Sequence, residues 1–412
     1  WRQYKERKSE AKREVAKAKS DATHQFYKDL DGPGGEKSIY RLAKARHAAS
    51  KAISHARIVK SKDGDLLRDN KQILDRWREH FDTISNVEFP HPPLPPSFPI
   101  AGPVAPITAS EVEQALRAMK TGKACGPDDI PSEAWKMLAA AGVEHITRLL
   151  NCITAEGKIP SDWNSSVTVP IFKGKGDVAD CGSYRPIRLL CQTMKIFERI
   201  IDSRLREIVD LRRGQCGFRK GCGTTDAIFA LRDLLEKHRR LKDKPLHLCF
   251  LDLEKAFDRV PHALIWHCLR GHGVPEEYIN WIRMMYKEPT SRVRCAAGLS
   301  DSFPVTVGVH QGSALSPLLF IVVMDFISRD LHTPPPHTLL YADDVVIGTE
   351  TRGELETLAQ AWHDRLARYG LRLNIAKTEY LEFAQVQTPG TIRIDGKDLV
   401  RTTEFKYLGA LI

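Results

Sequence analysis

Cysteine is sparse in this 412-residue chain, and its spacing does not fit a metal site. The nine cysteines include no Cys-x-x-Cys pair that could combine with histidines in a zinc finger. This pattern argues against structural zinc. An odd, scattered set of cysteines is typical of a reducing compartment. We therefore expect an intracellular protein.

The sequence also lacks an apolar run long enough to cross a membrane. The most apolar segment, residues 315–327, is short and contains Asp325, whereas a spanning helix needs about 20 apolar residues. No signal peptide is visible. We therefore expect no membrane partner. The chain begins at Trp1 and not at a methionine, so we expect it to be a fragment.

The excess positive charge is confined to an N-terminal arm. Residues 1–62 hold 17 Lys and Arg against 7 Asp and Glu, and the remaining residues hold 45 of each sign. This asymmetry favours a nucleic-acid partner, whose binding would depend strongly on salt. A solvated basic helix is the alternative.

Composition divides the chain into three parts, and its length is sufficient for two or three domains with a sizeable core. Residues 1–88 predict a basic helical extension, with a glycine-rich break at 32–35, further helix to about residue 58 and a short helix at 73–81. Residues 89–106 contain eight prolines and predict an extended linker. Residues 107–412 form the third part, and Ser110 with Glu113 predicts a capping box at its first helix.

Two adjacent acids, Asp343 and Asp344, lie between short apolar runs rich in β-branched residues. This pattern predicts a tight β-hairpin with the acids at its turn. Two unpaired carboxylates beside buried strands would repel each other, and Mg²⁺ would remove that repulsion. The alternative is an ordinary polar hairpin tip.

A second acidic segment begins with the apolar run 247–251 and ends at Asp252. We expect a buried strand that places Asp252 at its C-terminal end. From Glu254 the pattern becomes polar with spaced apolar residues, which predicts a short helix or loop. Asp258 is a weaker candidate for a site residue than Asp252, because an acid in a polar turn is usually solvated.

A third segment, residues 308–324, joins a glycine- and serine-containing loop to an apolar helix. Gly312 permits close backbone approach, Ser316 is the expected N-cap, and Pro317 suits the first helical turn. Gln311 beside Gly312 favours contact with a ligand. The alternative is a buried, well-capped helix.

These segments resemble the reverse transcriptase domain of non-LTR retrotransposons, most closely the RTE-like group, over residues 107–412. Seven motifs follow in the order of that family. Two positions depart from its usual pattern, since Asp129 replaces a glycine and Arg188 replaces a serine. The matching segments are 171–177 with 183–187, 217–226, 250–260, 310–317, 341–344, 370–378 and 405–409.

The resemblance implies an α+β fold, the fingers and palm of a right-hand polymerase, with an antiparallel palm sheet and packed helices. A thumb is expected to be largely absent, because the chain stops soon after its last motif. The implied activity is RNA-directed DNA polymerisation, which extends a DNA primer on an RNA template with deoxynucleoside triphosphates. The alternative is a catalytically inactive remnant that only binds RNA. The implied location is intracellular and nuclear.

The resemblance also assigns catalytic roles. Asp252 and Asp343 would hold two Mg²⁺ ions, which Mn²⁺ could replace, as in two-metal phosphoryl transfer. Asp344 would be a secondary ligand or would set the local field. Lys377 would protonate or screen the leaving group, although a lone lysine there could equally be a solvated side chain.

Six further residues are expected to contact the nucleotide. Three cations would clamp the triphosphate, since guanidinium and ammonium groups bind phosphate oxygens; a basic surface loop is the alternative. Two loop residues would border the nucleotide, and an aromatic ring would exclude a ribose 2′-hydroxyl unless it is a core residue. In that order, the residues are Lys173, Lys175, Arg185, Gln311, Gly312 and Phe257.

Overall fold

The computed structural model describes residues 2–30, 40, 58–212, 214–240, 245–332, 338–384 and 388–412. The predicted N-terminal helix spans Arg2–Leu30, and its described side chains are exposed. The glycine-rich break at 32–35 and nearly all of the helix predicted to follow it lie outside the described residues. No helix within the described ranges has the length and apolarity to cross a bilayer.

One five-stranded sheet, here called the site sheet, carries both acidic segments. Neighbouring strands are antiparallel except for one parallel pair at the edge, formed by Val400–Thr402 and Glu379–Phe383. The central strand is buried along its whole length, which explains its nearly continuous apolar sequence. In spatial order the strands are Val400–Thr402, Glu379–Phe383, Leu246–Leu251, Asp344–Thr349 and Thr338–Tyr341.

A second sheet, here called the flanking sheet, has Ser165–Phe172 near its centre, antiparallel to Tyr184–Leu189 and parallel to Thr290–Cys295. The strand Thr290–Cys295 also pairs with Gly298–Leu299 and Phe303–Pro304. Together the two sheets and their helices confirm a mixed α and β fold. The resemblance implied an antiparallel sheet, and the site sheet departs from this at its one parallel edge pair.

The helix predicted at 73–81 spans Asn70–Asn86 and packs on the flanking sheet. Ile73, Trp77 and Phe81 share a buried core with Tyr184 and Phe303, and the Trp77 ring lies edge-on to Tyr184 at 5.0 Å between centroids. This apolar face therefore ties the last part of residues 1–88 to the flanking sheet. The domain boundary at residue 88 remains a prediction.

The proline-rich segment forms neither helix nor strand over residues 87–108. It is nevertheless held against the fold. The Arg372 guanidinium lies 4.2 Å from the Phe89 ring centroid, the Glu276 N–H donates to the Ile100 carbonyl at 2.8 Å, and Arg204 donates to the Ala105 carbonyl at 2.6 Å. The absence of helix and strand follows from the prolines, which cannot donate backbone hydrogen bonds.

The remaining elements surround the main core. The helix Ser316–Ile327 is buried on nearly every side. The other helices are Ala109–Ala118, Ser132–Met137, Ala139–Glu156, Gln192–Ile208, Thr224–Arg240, Ala256–Arg259, His262–Gly271, Glu276–Met285 and Arg352–Arg368, with short 3-10 turns at Ser161–Asn164, Cys181–Ser183 and Ile375–Lys377. Two-residue strands pair as Val59–Lys60 with Leu66–Leu67, Arg393–Ile394 with Lys397–Asp398, and Lys406–Tyr407 with Ala410–Leu411.

Two predicted helix starts were wrong by a few residues. The capping box is formed by Thr108 with Glu111, and not by Ser110 with Glu113. The apolar helix begins at Ser316 itself, so its N-cap position is Leu315 and not Ser316; Ser313 accepts the N–H groups of Leu315 and Ser316 at 3.1 and 3.2 Å. In both cases the hydroxyl that binds free N–H groups at the helix start lies two or three residues before the predicted cap residue.

Candidate active site

The predicted hairpin is present and places the acidic pair at one end of the site sheet. Tyr341 pairs with Asp344 across the two strands, so Ala342 and Asp343 form a two-residue turn. Ala342 has a left-handed backbone, with φ of 58°, as such tight turns require. Its N–H donates to the Gln215 side-chain oxygen at 3.1 Å, which anchors the turn.

The strand register brings the other acid to the same end of the sheet. Val345 pairs with Leu251 at the end of that ladder, so Asp344 and Asp252 are the next residues on the two strands. The Asp252 carbonyl accepts the Asn374 N–H at 2.7 Å, and its N–H donates to the buried Thr378 hydroxyl at 3.3 Å. The predicted position of Asp252 at a strand end is confirmed.

The three carboxylates destabilise one another's charged forms. Burial raises the pKa of Asp343, and the Asp252 charge raises it further. Asp344 keeps contact with solvent, yet desolvation by the surrounding protein, then the charges of Asp343 and Asp252, raise its pKa to about 6. Burial also raises the pKa of Asp252. Such a group of acids is stabilised when a cation binds it.

Four predicted cations lie around these acids. Lys377, Lys175 and Lys173 oppose the burial effect on the pKa of Asp252, and Arg185 does the same for Asp343 and Asp344. Burial lowers the pKa of Lys173, and the charges of Lys377 and Arg185 lower it further. The cations therefore share one electropositive space beside the acids. Their individual roles remain predictions.

Gln311, Gly312 and Asp258 are here called the polar layer. The Gln311 side-chain amide donates to Asp258 Oδ1 at 2.7 Å, so the expectation that Asp258 is merely solvated was wrong. Gly312 has φ of 117°, and a Cβ there would lie 2.5 Å from the Arg188 carbonyl oxygen. The close backbone approach is thus to the protein itself, and nucleotide contact by either residue remains a prediction.

Phe257 is half-buried and has aromatic neighbours on two sides. Its ring stacks on the buried Phe320 with centroids 4.2 Å apart, and it meets the partly exposed Phe218 edge-on at 6.2 Å. One side of the ring therefore packs on the core. This arrangement is compatible both with a packing role and with a sugar-excluding role.

Several residues at the site carried no sequence signal of their own. Ala342 is one of them, and Gln215 is another. The Gln215 side-chain oxygen also accepts the Gly217 N–H at 2.8 Å. A Cβ on Gly217 would overlap the backbone of the Tyr341–Ala342 turn. Lys255 has a left-handed backbone, with φ of 48°, and its charge also lowers the pKa of Lys173. Ala342, Gly217 and Lys255 lie in matched motifs, but only proximity in the folded chain reveals these contributions.

A model of the family described as reverse transcriptase (RNA-dependent DNA polymerase) matches residues 172–412. The chain belongs to this reverse transcriptase family. The match begins at the last residue of the strand Ser165–Phe172 and contains all three aspartates.

Curated relatives support the same conclusion. The chain is 29% identical over 328 residues to the Pol polyprotein of a type-1 retrotransposable element R2 from Nasonia vitripennis, covering 74% of this chain and 31% of the relative. It is 26% identical to the RNA-directed DNA polymerase of mobile element jockey from Drosophila melanogaster, covering 76% and 36%. The chain thus spans about a third of these relatives. The resemblance to non-LTR reverse transcriptases is confirmed, whereas the RTE-like subgroup remains a prediction.

Among solved structures, the chain is similar to telomerase from Candida albicans in complex with a fragment of telomeric RNA. The similar region covers 65% of this chain and 48% of the telomerase chain. Sequence identity is 14% and the TM-score is 0.42.

The acidic residues suit a weakly caged Mg²⁺ site. Within the described ranges, no three His, Cys, Asp or Glu side chains are arranged to hold a metal ion by themselves. Mg²⁺ commonly keeps water ligands and binds one or two carboxylates together with substrate phosphates. Asp252, Asp343 and Asp344 provide hard oxygen donors whose mutual repulsion a cation would relieve, so the donor set fits this metal.

Proposed function

We propose that this chain is part of an RNA-directed DNA polymerase of a non-LTR retrotransposon, which extends a DNA primer on an RNA template. The observation that carries the proposal is the strand register, which places Asp252 beside the Asp343–Asp344 hairpin end. Membership of the reverse transcriptase family supports it. In this proposal the site sheet is the palm and the flanking sheet belongs to the fingers.

The reaction joins the primer 3′-oxygen to the α-phosphorus of a deoxynucleoside triphosphate and breaks the bond to pyrophosphate. Asp252 and Asp343 would hold Mg²⁺, or Mn²⁺ in its place, with Asp344 as a secondary ligand. When bound, two such ions lower the pKa of the attacking hydroxyl and neutralise charge on the phosphates. The carboxylates contribute by fixing negative charge at the end of a rigid sheet.

The surrounding cations would hold the triphosphate. Lys173 and Lys175 come from the loop after the strand Ser165–Phe172, and Arg185 comes from the next strand, so one folded unit presents them together. Lys377 acts most strongly of these cations on Asp252. We assign Lys377 to screening or protonation of the departing pyrophosphate, because it is exposed on the turn Ile375–Lys377.

The nucleotide itself would lie against the polar layer. Gln311 and Gly312 would border its sugar and base, and Phe257 would exclude a ribose 2′-hydroxyl. The Gln311 amide is already oriented by Asp258 at 2.7 Å. The stacking of Phe257 on Phe320 would keep its ring from turning aside.

Primer extension should depend on the divalent cation. We expect extension of a DNA primer on an RNA template in Mg²⁺, its loss in excess chelator and its recovery on addition of Mn²⁺, because the acidic cluster holds the reacting oxygens only through a cation. Extension that persists unchanged in chelator would contradict the proposal. Melting temperature measured in the same buffers distinguishes loss of chemistry from loss of fold.

The N-terminal arm is proposed to supply sequence-independent affinity for nucleic acid, in agreement with a nuclear location. Val59 and Lys60 belong to the folded unit, since Val59 is buried in a core with Trp77 and the Lys60 N–H donates to the Ala179 carbonyl at 2.8 Å. A deletion should therefore stop at residue 57.

Deleting residues 1–57 is expected to weaken RNA binding and to flatten its dependence on salt, because fewer counterions are released from the phosphates. Extension at saturating primer and template should change less, since the acidic site lies elsewhere. The measurement is the slope of log K against log salt concentration. A variant with Arg and Lys in Arg2–Leu30 replaced by Gln is the matched control for charge, and an unchanged slope would show a merely solvated arm.

A further inference from the structure

A buried arginine lies behind the loop that carries Gln311. Arg188 belongs to the strand Tyr184–Leu189 and is 5% exposed. Its Nη2 donates to the Ser85 hydroxyl at 2.9 Å, while Nη1 has no hydrogen-bond partner among the described residues. A guanidinium placed in the core is costly unless a carboxylate balances its charge.

The carboxylate whose charge acts most on Arg188 is that of Asp258, in the short helix Ala256–Arg259. The Asp258 charge opposes the effect of burial on the pKa of Arg188 more than any other group does. Conversely, burial raises the pKa of Asp258, and Arg188 exerts the largest opposing charge effect, ahead of Lys255 and Lys173. An arginine from the flanking sheet therefore balances the charge of an acid that follows the proposed metal ligand Asp252 in the chain.

Asp258 in turn fixes Gln311. The bond of 2.7 Å runs from Gln311 Nε2 to Asp258 Oδ1, so the NH₂ group faces Asp258. An ionised carboxylate only accepts hydrogen bonds and would hold the amide in this orientation. The Gln311 carbonyl oxygen must then point away from Asp258. The side-chain amide consequently has one orientation and not two.

The backbone of the same loop is clamped by the same partners. The Arg188 N–H donates to the Gln311 carbonyl at 2.6 Å. Gly308 packs against the backbone of Asp258, and Gly312 packs against the carbonyl of Arg188. Residues 308–312 are thus in contact with the backbone of both Arg188 and Asp258.

We propose that Arg188 is a positioning residue of the nucleotide pocket, which holds the loop of Gln311 against Asp258 and so fixes the Gln311 amide toward the incoming deoxynucleoside triphosphate. This inference rests on the proposed function, because the assignment of Gln311 to the nucleotide comes from it. Without Arg188, Asp258 would be an unbalanced buried acid that takes up a proton. A protonated Asp258 can donate as well as accept, so Gln311 could turn over.

The test uses Arg188→Met, Arg188→Lys, Asp258→Asn and the double variant Arg188→Met/Asp258→Asn. The principal readout is the Kd of a deoxynucleoside triphosphate on a primer–template complex whose primer ends in a dideoxynucleotide, so that binding is measured without turnover. The melting temperature of each variant and the kcat for extension of an ordinary primer are measured in parallel.

Arg188→Met is expected to raise this Kd about tenfold, equivalent to about 1.4 kcal/mol, with kcat within about threefold of the wild type. Arg188→Lys should lie between the two because it keeps the charge. The double variant should regain melting temperature lost in Arg188→Met, since no lone buried charge remains. Its Kd should stay raised, because two amides can pair in either orientation.

Arg204→Met is the matched control. It removes a partly buried guanidinium bound to Glu111 at 2.6 Å, and it should lower the melting temperature without changing the Kd. The inference is overturned if Arg188→Met leaves the Kd unchanged, if the Kd recovers together with stability in the double variant, or if the two substitutions lower the melting temperature additively. A wild-type protein that binds the triphosphate but extends no primer would count against the proposed function, and the Kd would still decide the role of Arg188.

Discussion

Replacing Asp252 or Asp343 with Asn is expected to lower the rate of primer extension about a thousandfold or more while the fold is kept. Loss of a metal ligand should remove several kcal/mol of transition-state stabilisation, at about 1.36 kcal/mol for each tenfold change in rate. The substitutions also relieve repulsion among the three acids, so the melting temperature should not fall. The measurement is single-turnover extension together with thermal unfolding.

Two asparagine variants serve as controls. Asp233 lies in the helix Thr224–Arg240 and pairs with Lys237 at 2.7 Å, so Asp233→Asn should leave extension unaffected. Asp258→Asn should be much milder than the ligand substitutions, because Asp258 acts through Gln311. Equal extension by the wild type and Asp343→Asn would end the polymerase assignment.

Substituting Phe257 with Val is expected to raise the efficiency of ribonucleotide relative to deoxynucleotide incorporation by about tenfold or more. A smaller side chain leaves room for the 2′-hydroxyl, and steric differences of this size are worth about 1–3 kcal/mol. The quantity to measure is the ratio of kcat/KM for the two nucleotide classes. Deoxynucleotide incorporation should remain measurable.

Phe320→Leu tests whether packing alone explains such a change. Phe320 is fully buried and stacks on Phe257 at 4.2 Å, so its truncation should lower the melting temperature and all activity together. If Phe257→Val lowers the melting temperature but leaves the nucleotide ratio unchanged, Phe257 is a packing residue. Phe257→Ala is the stronger test of stability, since a buried Phe cut to Ala costs about 3–5 kcal/mol.

The sequence predicted the parts of the site whose pattern is local. Asp343 and Asp344 were placed by alternation between two strands and a turn, and Asp252 by an apolar run that ends in an acid. Both signals involve fewer than ten neighbouring residues. What brings the two segments together is the pairing of Leu246–Leu251 with Asp344–Thr349, which the family resemblance implied and local pattern could not provide.

Residues whose function depends on distant neighbours could not be recognised. Asp258 has the sequence context of a solvated turn, yet it bonds Gln311, 53 positions away. Gln215 bonds the Ala342 N–H, 127 positions away. The helix caps failed for a different reason. Thr108 and Ser110, or Ser313 and Ser316, are chemically equivalent cap residues, and the backbone path decides between them.

The two departures from the family pattern differ in their structural setting. Asp129 has a left-handed backbone, with φ of 55°, which Asp tolerates better than most non-glycine residues. Arg188 is buried behind the polar layer and interacts with Asp258. Asp129 thus keeps the turn that a glycine would permit. Arg188 instead introduces a charge beside the loop that carries Gln311.

Extension of a DNA primer on an RNA template in Mg²⁺, with wild type and Asp343→Asn compared at equal RNA occupancy, tests the central claim most directly. The account predicts template-dependent extension by the wild type, about a thousandfold less by the variant, and equal RNA binding by both. RNA binding without extension by the wild type would contradict it and would identify a catalytically inactive remnant that only binds RNA.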